Sequence, residues 1–219
     1  MPTKAEIQKE LDDLKQTNRR LERALNQAQL DIDLLEIDED KYKAPATSIH
    51  AREAIKRAQA EWNRNVIDPS ERINAYIKST DGLGWSWEKD YIKNGQFAWC
   101  GAFASYCYTK VNSNTRKKIF PSCYRMYKNW SKTSRRVSAD QIQVGDIVIV
   151  YTSKRSVQGD HITLCSDAST LKDGYISTIE GNARGELGSG EYGEGVIKRE
   201  RQLDQIAHVY RLLGSDFDE

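Results

Sequence analysis

Apolar residues in the first forty positions recur at alternating intervals of three and four. One series is spaced by seven residues and a second interleaves four positions later: Ile7, Leu14, Leu21, Ala28 and Leu35, then Leu11, Asn18, Leu25 and Ile32. No Gly or Pro interrupts residues 4–37, so the pattern predicts a coiled coil. Asn18 takes an a position, where a buried Asn favours a parallel dimer, and Glu10 at g would face Lys15 at e of the partner helix.

Leu30 and Leu34 lie outside these two series of heptad positions. Either the last turns pack against another element, or the assembly is larger than a dimer. The alternative to a coiled coil is a single amphipathic helix lying on the chain's own domain, which the strict spacing of about 3.5 residues disfavours.

A charged linker over residues 38–47 separates this segment from the rest of the chain. The pattern then predicts a helix over residues 48–65. A second helix begins at Asp68-Pro69-Ser70-Glu71, with Asp68 as the N-cap and Pro69 at the first helical position. An aromatic loop follows at residues 84–87.

The next apolar stretch predicts a helix that begins at or near Cys100. Its buried face consists of residues three, four, seven and eight positions further on: Phe103, Ala104, Cys107 and Tyr108. A thiol in the first turn of a helix meets unpaired backbone N–H groups and the positive end of the dipole, so its pKa falls and it becomes nucleophilic. The alternative is that Cys100 is a small buried hydrophobic residue, as most free cysteines are.

After Pro121 and an irregular basic stretch with Arg135-Arg136, the pattern changes to strands. Short apolar or alternating runs occur at residues 145–151, 161–166, 175–179, 196–201 and 206–212. Asp173-Gly174 predicts a hairpin turn, and the Gly-rich residues 185–195 predict a loop. Helices followed by consecutive antiparallel strands indicate an α+β fold. We therefore expect a coiled-coil helix and linker at residues 1–45 and a catalytic domain at 46–219, with lead-in helices over 48–80.

The composition of the chain argues against several classes of partner and cofactor. The 219 residues are 30% charged with a net charge of +1, which argues against a nucleic-acid partner. No apolar run reaches the length of a membrane span, and no signal segment opens the chain, so we expect it to be made in a cytoplasm and to have no membrane partner. The four cysteines and three histidines have neither disulfide-framework nor zinc-site spacing, so we expect no metal and no cofactor.

Cysteine catalysis needs a base, a group that orients the base, and donors for the oxyanion. His161 begins a predicted strand directly after a loop, which both positions and exposes an imidazole. Glu180 follows the next predicted strand, and antiparallel pairing would bring it near His161. Asn182, two residues on, offers an amide.

Four motifs in this order resemble those of the CHAP domain, a group of amidases and peptidases with a papain-like core. They are Trp99-Cys100-Gly-Ala-Phe103, Gly145-Asp-Ile-Val148, Asp160-His161-Ile162 and Ile179-Glu180-Gly-Asn182. The likeness covers about residues 70–213, including the closing strands.

The resemblance implies that bacterial peptidoglycan is the partner and that an amide bond is cut. Cys100 is then the nucleophile, His161 the base and later the acid, and Glu180 the residue that orients the imidazole. Asn182 assists there or at the oxyanion, with the Cys100 backbone N–H as the other donor.

Substrate contacts are expected of the residues near the cysteine. Gln96 is a candidate oxyanion donor in the manner of papain-like enzymes, although its spacing differs from theirs. Trp85, Trp87, Trp99 and Trp130 either line a groove for sugar and stem peptide or pack in the core. Some CHAP relatives bind calcium through an acidic loop near the cysteine, and this sequence has no such loop.

Three functions follow from these patterns. The first is a phage peptidoglycan hydrolase that reaches the wall through a holin or as part of a virion, where residues 4–37 form a homodimer or dock on a virion tail protein. The second is a structural or adaptor virion protein in which the coiled coil is the working part. The third is a thiol peptidase acting on protein.

Overall fold

The computed structural model describes residues 46–80, 98–109, 119–152, 157 and 159–216, together with positions 3, 8, 14, 15, 17 and 18. The chain divides into two compact units, Met1–Lys43 and Ala44–Glu219. In the first unit, described positions 8, 14, 15, 17 and 18 are helical and exposed. Most of the heptad positions lie outside the described residues, so the coiled coil stays a prediction.

The second unit is an α+β domain built on one antiparallel sheet. Its six strands lie in the order β1-β6-β2-β3-β4-β5. They are β1 (Arg136–Val137), β2 (Ile147–Val150), β3 (His161–Asp167), β4 (Tyr175–Glu186), β5 (Tyr192–Gln202) and β6 (Ile206–Tyr210). Every neighbouring pair is antiparallel. The predicted α+β class is therefore confirmed.

Four α-helices occur within the described residues of this unit: α1 (Ala46–Asn63), α2 (Glu71–Lys78), α3 (Cys100–Thr109) and α4 (Cys123–Trp130). The helix α3 contacts α1, α2, β3 and β4. All its residues from Cys100 to Tyr108 are buried, so the prediction of one buried face is wrong and the helix is enclosed all round. Among the described helices, none has the length and apolar composition needed to cross a membrane.

The predicted N-cap of α2 is also wrong. This helix begins at Glu71, and Ser70 occupies the N-cap position in an extended conformation with no side-chain cap. Asp68 is held elsewhere: its backbone N–H donates to the Glu194 carbonyl over 2.8 Å, and its carboxylate accepts from Trp99 Nε1 over 2.9 Å. Both partners come from distant parts of the chain and keep Asp68 out of the helix.

The Gly-rich residues 185–195 are mostly strand rather than the predicted loop. In the register of β4 and β5, Ala183 lies opposite Gly195. Gly195 also bridges Ile67, and a Cβ added at this glycine would lie 2.1 Å from the Val66 carbonyl oxygen. Glycine is therefore required here because a second backbone approaches the strand closely.

Side chains of β2 alternate between two apolar clusters. Ile147 and Ile149 belong to the larger cluster, which includes α3, whereas Val148 and Val150 belong to a smaller one. All four residues are buried. The unbroken apolar run in the sequence thus reflects a strand that is covered on both faces.

Candidate active site

Cys100 is the first residue of α3, where the sequence predicted a helix start. The Phe103 N–H donates to the Trp99 carbonyl over 2.9 Å and closes the first turn. The N–H groups that precede Phe103 in this turn have no acceptor within the helix, so they favour a negative charge beside them. Cys100 is only 6% exposed, so little of its surface is in contact with solvent.

The Cys100 thiol and the His161 imidazole are neighbours, and each shifts the pKa of the other. Burial by itself would raise the pKa of Cys100, but contact with His161 and with the backbone N–H groups of Ile162 and Gly101 lowers the pKa below its ordinary value. Burial would likewise lower the pKa of His161, but Cys100 and Glu180 together raise the pKa to about 9. The opposite shifts favour a thiolate–imidazolium pair at neutral pH.

Strand pairing brings Glu180 to the same imidazole. In the antiparallel register of β3 and β4, Leu164 lies opposite Ile179, so Glu180 runs alongside the beginning of β3. His161 Nε2 is 3.1 Å from Glu180 Oε2. Because Nε2 faces the carboxylate, Nδ1 is the ring nitrogen left for the thiol. The two residues meet as predicted, although Glu180 lies inside β4 rather than after its end.

Two residues that the sequence did not single out complete the surroundings of Glu180. Arg201 donates to its carboxylate through two nitrogens, with Nε 2.7 Å from Oε1 and Nη2 2.6 Å from Oε2. The Thr178 hydroxyl lies 2.6 Å from Oε1. Burial would raise the pKa of Glu180, but His161 and Arg201 lower the pKa to about 2, so the carboxylate stays ionised.

No sequence pattern indicated Arg201, because its approach to Glu180 depends on the register of β4 and β5. Ile176 lies opposite Arg201 and Thr178 opposite Arg199 in the register of β4 and β5. Residues paired across an antiparallel sheet share a face, and alternate residues along a strand do the same. Glu180 and Arg201 therefore stand on one face of adjacent strands, at a distance that a long arginine side chain spans.

Asn182 lies at a break in the sheet, where the register of β4 and β5 shifts between Glu180 and Ala183. Its backbone has φ 57°, in the left-handed region that Asn tolerates better than most residues. Its Oδ1 accepts a hydrogen bond of 2.6 Å from the Trp99 backbone N–H. Asn182 is thus hydrogen-bonded to Trp99, the residue that precedes Cys100, and not to the imidazole of His161.

Gly181, between the two polar residues of this motif, lies against α3. A Cβ at Gly181 would be 2.6 Å from Phe103 Cβ and 2.7 Å from the ring of Trp99. The absence of a side chain lets β4 approach the first turn of the helix closely. This contact brings the strand that carries Glu180 against the helix that carries Cys100.

Trp99 is a core residue, and the expectation that it lines a substrate groove is wrong. The residue is 1% exposed and its ring lies 5.7 Å from that of Tyr76. Its indole N–H is bound by Asp68. Trp130 is likewise buried, with its ring centroid 5.7 Å from that of Tyr210. The other expected substrate contacts, Gln96, Trp85 and Trp87, lie outside the described residues.

The other three cysteines have a different electrostatic environment. Burial raises the pKa of Cys107, Cys123 and Cys165 above the ordinary value of a thiol. All four cysteines of the chain are free thiols. Cys100 alone among them combines a helix start with a contact to an imidazole, so it is the one suited to nucleophilic chemistry.

Neighbouring groups of the site differ in the sign of the charge that they carry when ionised: the Cys100 thiol, the His161 imidazole, the Glu180 carboxylate and the Arg201 guanidinium. Such an arrangement can supply a nucleophile, a proton donor and a fixed orientation for that donor. No group of three or more His, Cys, Asp or Glu side chains in the described part of the chain is placed to hold a metal ion.

Comparison of the chain with protein-family models, with curated proteins and with solved structures gave no significant match.

Proposed function

We propose that this protein is a cysteine hydrolase with a papain-like CHAP domain that cleaves an amide bond of bacterial peptidoglycan. The observation that carries the proposal is the contact series from Cys100 to His161 to Glu180 at the start of a buried helix. Packing alone requires none of these three polar groups at this place. The order of the motifs along the chain supports the CHAP assignment, and that assignment supplies the substrate.

The geometry suits acyl transfer in two steps. The Cys100 thiolate attacks the amide carbonyl carbon, and the resulting oxyanion is stabilised by the backbone N–H of Cys100. His161 donates its proton to the leaving amine as the carbon–nitrogen bond breaks, which leaves a thioester on Cys100. His161 then takes a proton from water and the hydroxide attacks the thioester, which releases the carboxylic acid and restores the Cys100 thiolate and the His161 imidazolium.

Asn182 and Asp68 contribute to this mechanism through Trp99. Asn182 holds the Trp99 backbone N–H and Asp68 holds its indole N–H, so the residue before Cys100 is fixed at two points. A fixed peptide at this position pre-orients the Cys100 N–H that binds the oxyanion. Preorganised donors stabilise a developing charge without reorganisation during the reaction.

Zymography on purified bacterial cell walls, run beside a casein gel, tests the substrate class. We expect clearing of the wall gel and none of the casein gel. Mass spectrometry of the released fragments then identifies the bond, either muramoyl–alanine or one within the stem peptide. Cleavage of casein with intact walls would instead indicate a thiol peptidase, and clearing of neither gel would favour the adaptor function.

We expect a bell-shaped dependence of kcat/KM on pH for soluble muropeptides. The reactive state carries a thiolate at Cys100 and a proton on His161. Its population rises with pH as the thiol ionises, and it falls as His161 loses its proton, with a pKa of about 9. The alkaline limb should therefore lie near pH 9, which a profile recorded from acid to alkaline buffers measures directly. An alkaline limb near the ordinary pKa of histidine would contradict the ion pair.

The segment before residue 44 should assemble the protein without taking part in the chemistry. We expect a parallel dimer for the full chain and a monomer after removal of residues 1–43, as measured by sedimentation equilibrium. The truncated protein should cleave soluble muropeptides at a similar rate but lyse intact walls more slowly, because two tethered domains rebind a polymer at high effective concentration.

The variant Asn18→Ile is a second test of this prediction. Replacing the Asn that the proposed dimer would bury should stabilise the coil and permit larger assemblies. A full-length monomer at micromolar concentration would contradict the homodimer. The heptads would then serve another partner, such as a virion tail protein.

A further inference from the structure

The Glu180 carboxylate receives four hydrogen-bond contacts, two on each oxygen. Oε1 meets Arg201 Nε and the Thr178 hydroxyl, at 2.7 and 2.6 Å. Oε2 meets Arg201 Nη2 and His161 Nε2, at 2.6 and 3.1 Å. A carboxylate has about four lone-pair positions, so its acceptor capacity is filled. Two of the four contacts come from a single guanidinium.

The Arg201–Glu180 pair is deeply buried. The Arg201 side chain is 4% exposed and that of Glu180 is 0% exposed. A bidentate guanidinium fixes the plane of a carboxylate as well as its position, which a point charge such as lysine does not. The plane set by Arg201 is the one in which Oε2 reaches the imidazole.

We propose that Arg201 is a positioning residue of the active site, which fixes the plane of the Glu180 carboxylate and directs its Oε2 to His161. Arg201 contacts neither Cys100 nor the substrate in this assignment, and it acts through Glu180 alone. The inference rests on the proposed function and adds to it a residue that neither the motifs nor their spacing indicated.

The expected effect on the thiol follows from the charges that face Glu180. His161 from β3 and Arg201 from β5 are the cations that lower its pKa against burial. If Arg201 is replaced by a neutral residue, one of the two cations is lost and the pKa of Glu180 rises. Without the bidentate guanidinium, Oε2 is no longer directed at the imidazole, so the His161 imidazolium loses part of the hydrogen bond that raises its pKa. The Cys100 thiolate then loses part of its counter-charge. Ionisation of Cys100 should therefore require a higher pH.

Alkylation of Cys100 by iodoacetamide measures this without any wall substrate. The rate is followed by mass spectrometry of the Cys100 peptide as a function of pH, in the full chain and in Arg201→Met. We expect the midpoint to rise by about one pH unit, which corresponds to about tenfold slower alkylation on the acid limb. For Arg201→Lys, which keeps the charge but not the bidentate geometry, we expect an intermediate shift. On soluble muropeptides, kcat should fall more than KM changes.

The chain offers a matched control in Arg211. It binds Asp146 with the same geometry, Nε to Oδ1 at 2.8 Å and Nη2 to Oδ2 at 2.7 Å, and Asp146 is 2% exposed. Arg211→Met removes an equivalent bidentate pair from the same domain. It should lower the melting temperature, as Arg201→Met does, but leave the pH profile of Cys100 alkylation unchanged.

A double variant tests whether Arg201 acts through Glu180. Adding Arg201→Met to Glu180→Gln should produce no further shift in the alkylation midpoint, whereas independent effects would add. An unchanged midpoint in Arg201→Met, or an equal shift in Arg211→Met, would overturn the inference. If Arg201→Met does not fold, an unchanged midpoint in Arg201→Lys has the same meaning.

The same experiment separates this inference from the proposed function. If Cys100 in the unaltered protein is not alkylated ahead of the other cysteines, the proposed function fails and the role of Arg201 fails with it. If Cys100 reacts first and the Arg201 variants keep the parent profile, the proposed function stands and only the role of Arg201 is overturned.

Discussion

Cys100→Ala should abolish wall lysis while the domain remains folded. The substitution removes the sulfur that would attack the carbonyl, and no other described thiol lies beside an imidazole. Loss of the nucleophile in a related triad costs about a millionfold in kcat, so turbidity assays on purified walls should show no clearing. The side chain is small and lies at the helix start, so circular dichroism and the melting curve should stay close to those of the parent.

Cys107→Ala, Cys123→Ala and Cys165→Ala are the controls for this variant. Burial raises the pKa of all three thiols, and all three alanine variants should retain the parent rate of lysis. One equivalent of iodoacetamide at neutral pH should label Cys100 first, with activity lost in proportion. Preferential labelling of another cysteine, with activity lost in step, would refute the assignment of the nucleophile.

Glu180→Gln should leave a folded protein with very little turnover. Glutamine keeps the size of the side chain, but it removes the charge that holds His161 protonated and leaves Arg201 without a buried anion. A comparable change of the orienting carboxylate in a related triad costs about four orders of magnitude in kcat. The rate should be measured on soluble muropeptides so that wall binding does not enter, and His161→Ala should be at least as severe.

Glu186→Gln is the matched control, because this glutamate lies on the same strand but is exposed. It should retain the parent kcat. If Glu180→Gln keeps full activity while Asn182→Ala is inactive, the roles of the two residues are reversed. The imidazole would then be oriented by the amide and not by the carboxylate.

Features that depend on neighbouring residues were accessible from the sequence. The helix that begins at Cys100 and the strand that begins at His161 both lie where the pattern placed them. A helical or extended run imposes its own period of about 3.6 or 2 residues on the apolar positions. Short antiparallel connections then pair consecutive strands, which was sufficient to predict that Glu180 approaches His161.

Features that depend on a distant backbone or side chain were not accessible in this way. Asp68 has the sequence of a helix cap, but its carboxylate accepts a hydrogen bond from the Trp99 indole and its backbone N–H donates to Glu194 in β5. The glycines near residue 195 resemble a loop, but they lie in a strand because Val66 and Ile67 approach it. In each case a local preference of about 1 kcal/mol yields to tertiary contacts.

By itself the sequence determined the thiol at a helix start and the meeting of Cys100, His161 and Glu180, whereas it indicated neither α4 nor β1. Only the tertiary structure decided that Trp99 is buried, that Asn182 holds the Trp99 backbone, and that Arg201 binds Glu180 with two nitrogens. The physical reason is range. The periodicity of the sequence indicates which face of an element is apolar. The partner of a buried polar group depends instead on how separate elements pack together, because an unpaired polar group costs desolvation free energy only once packing has buried it.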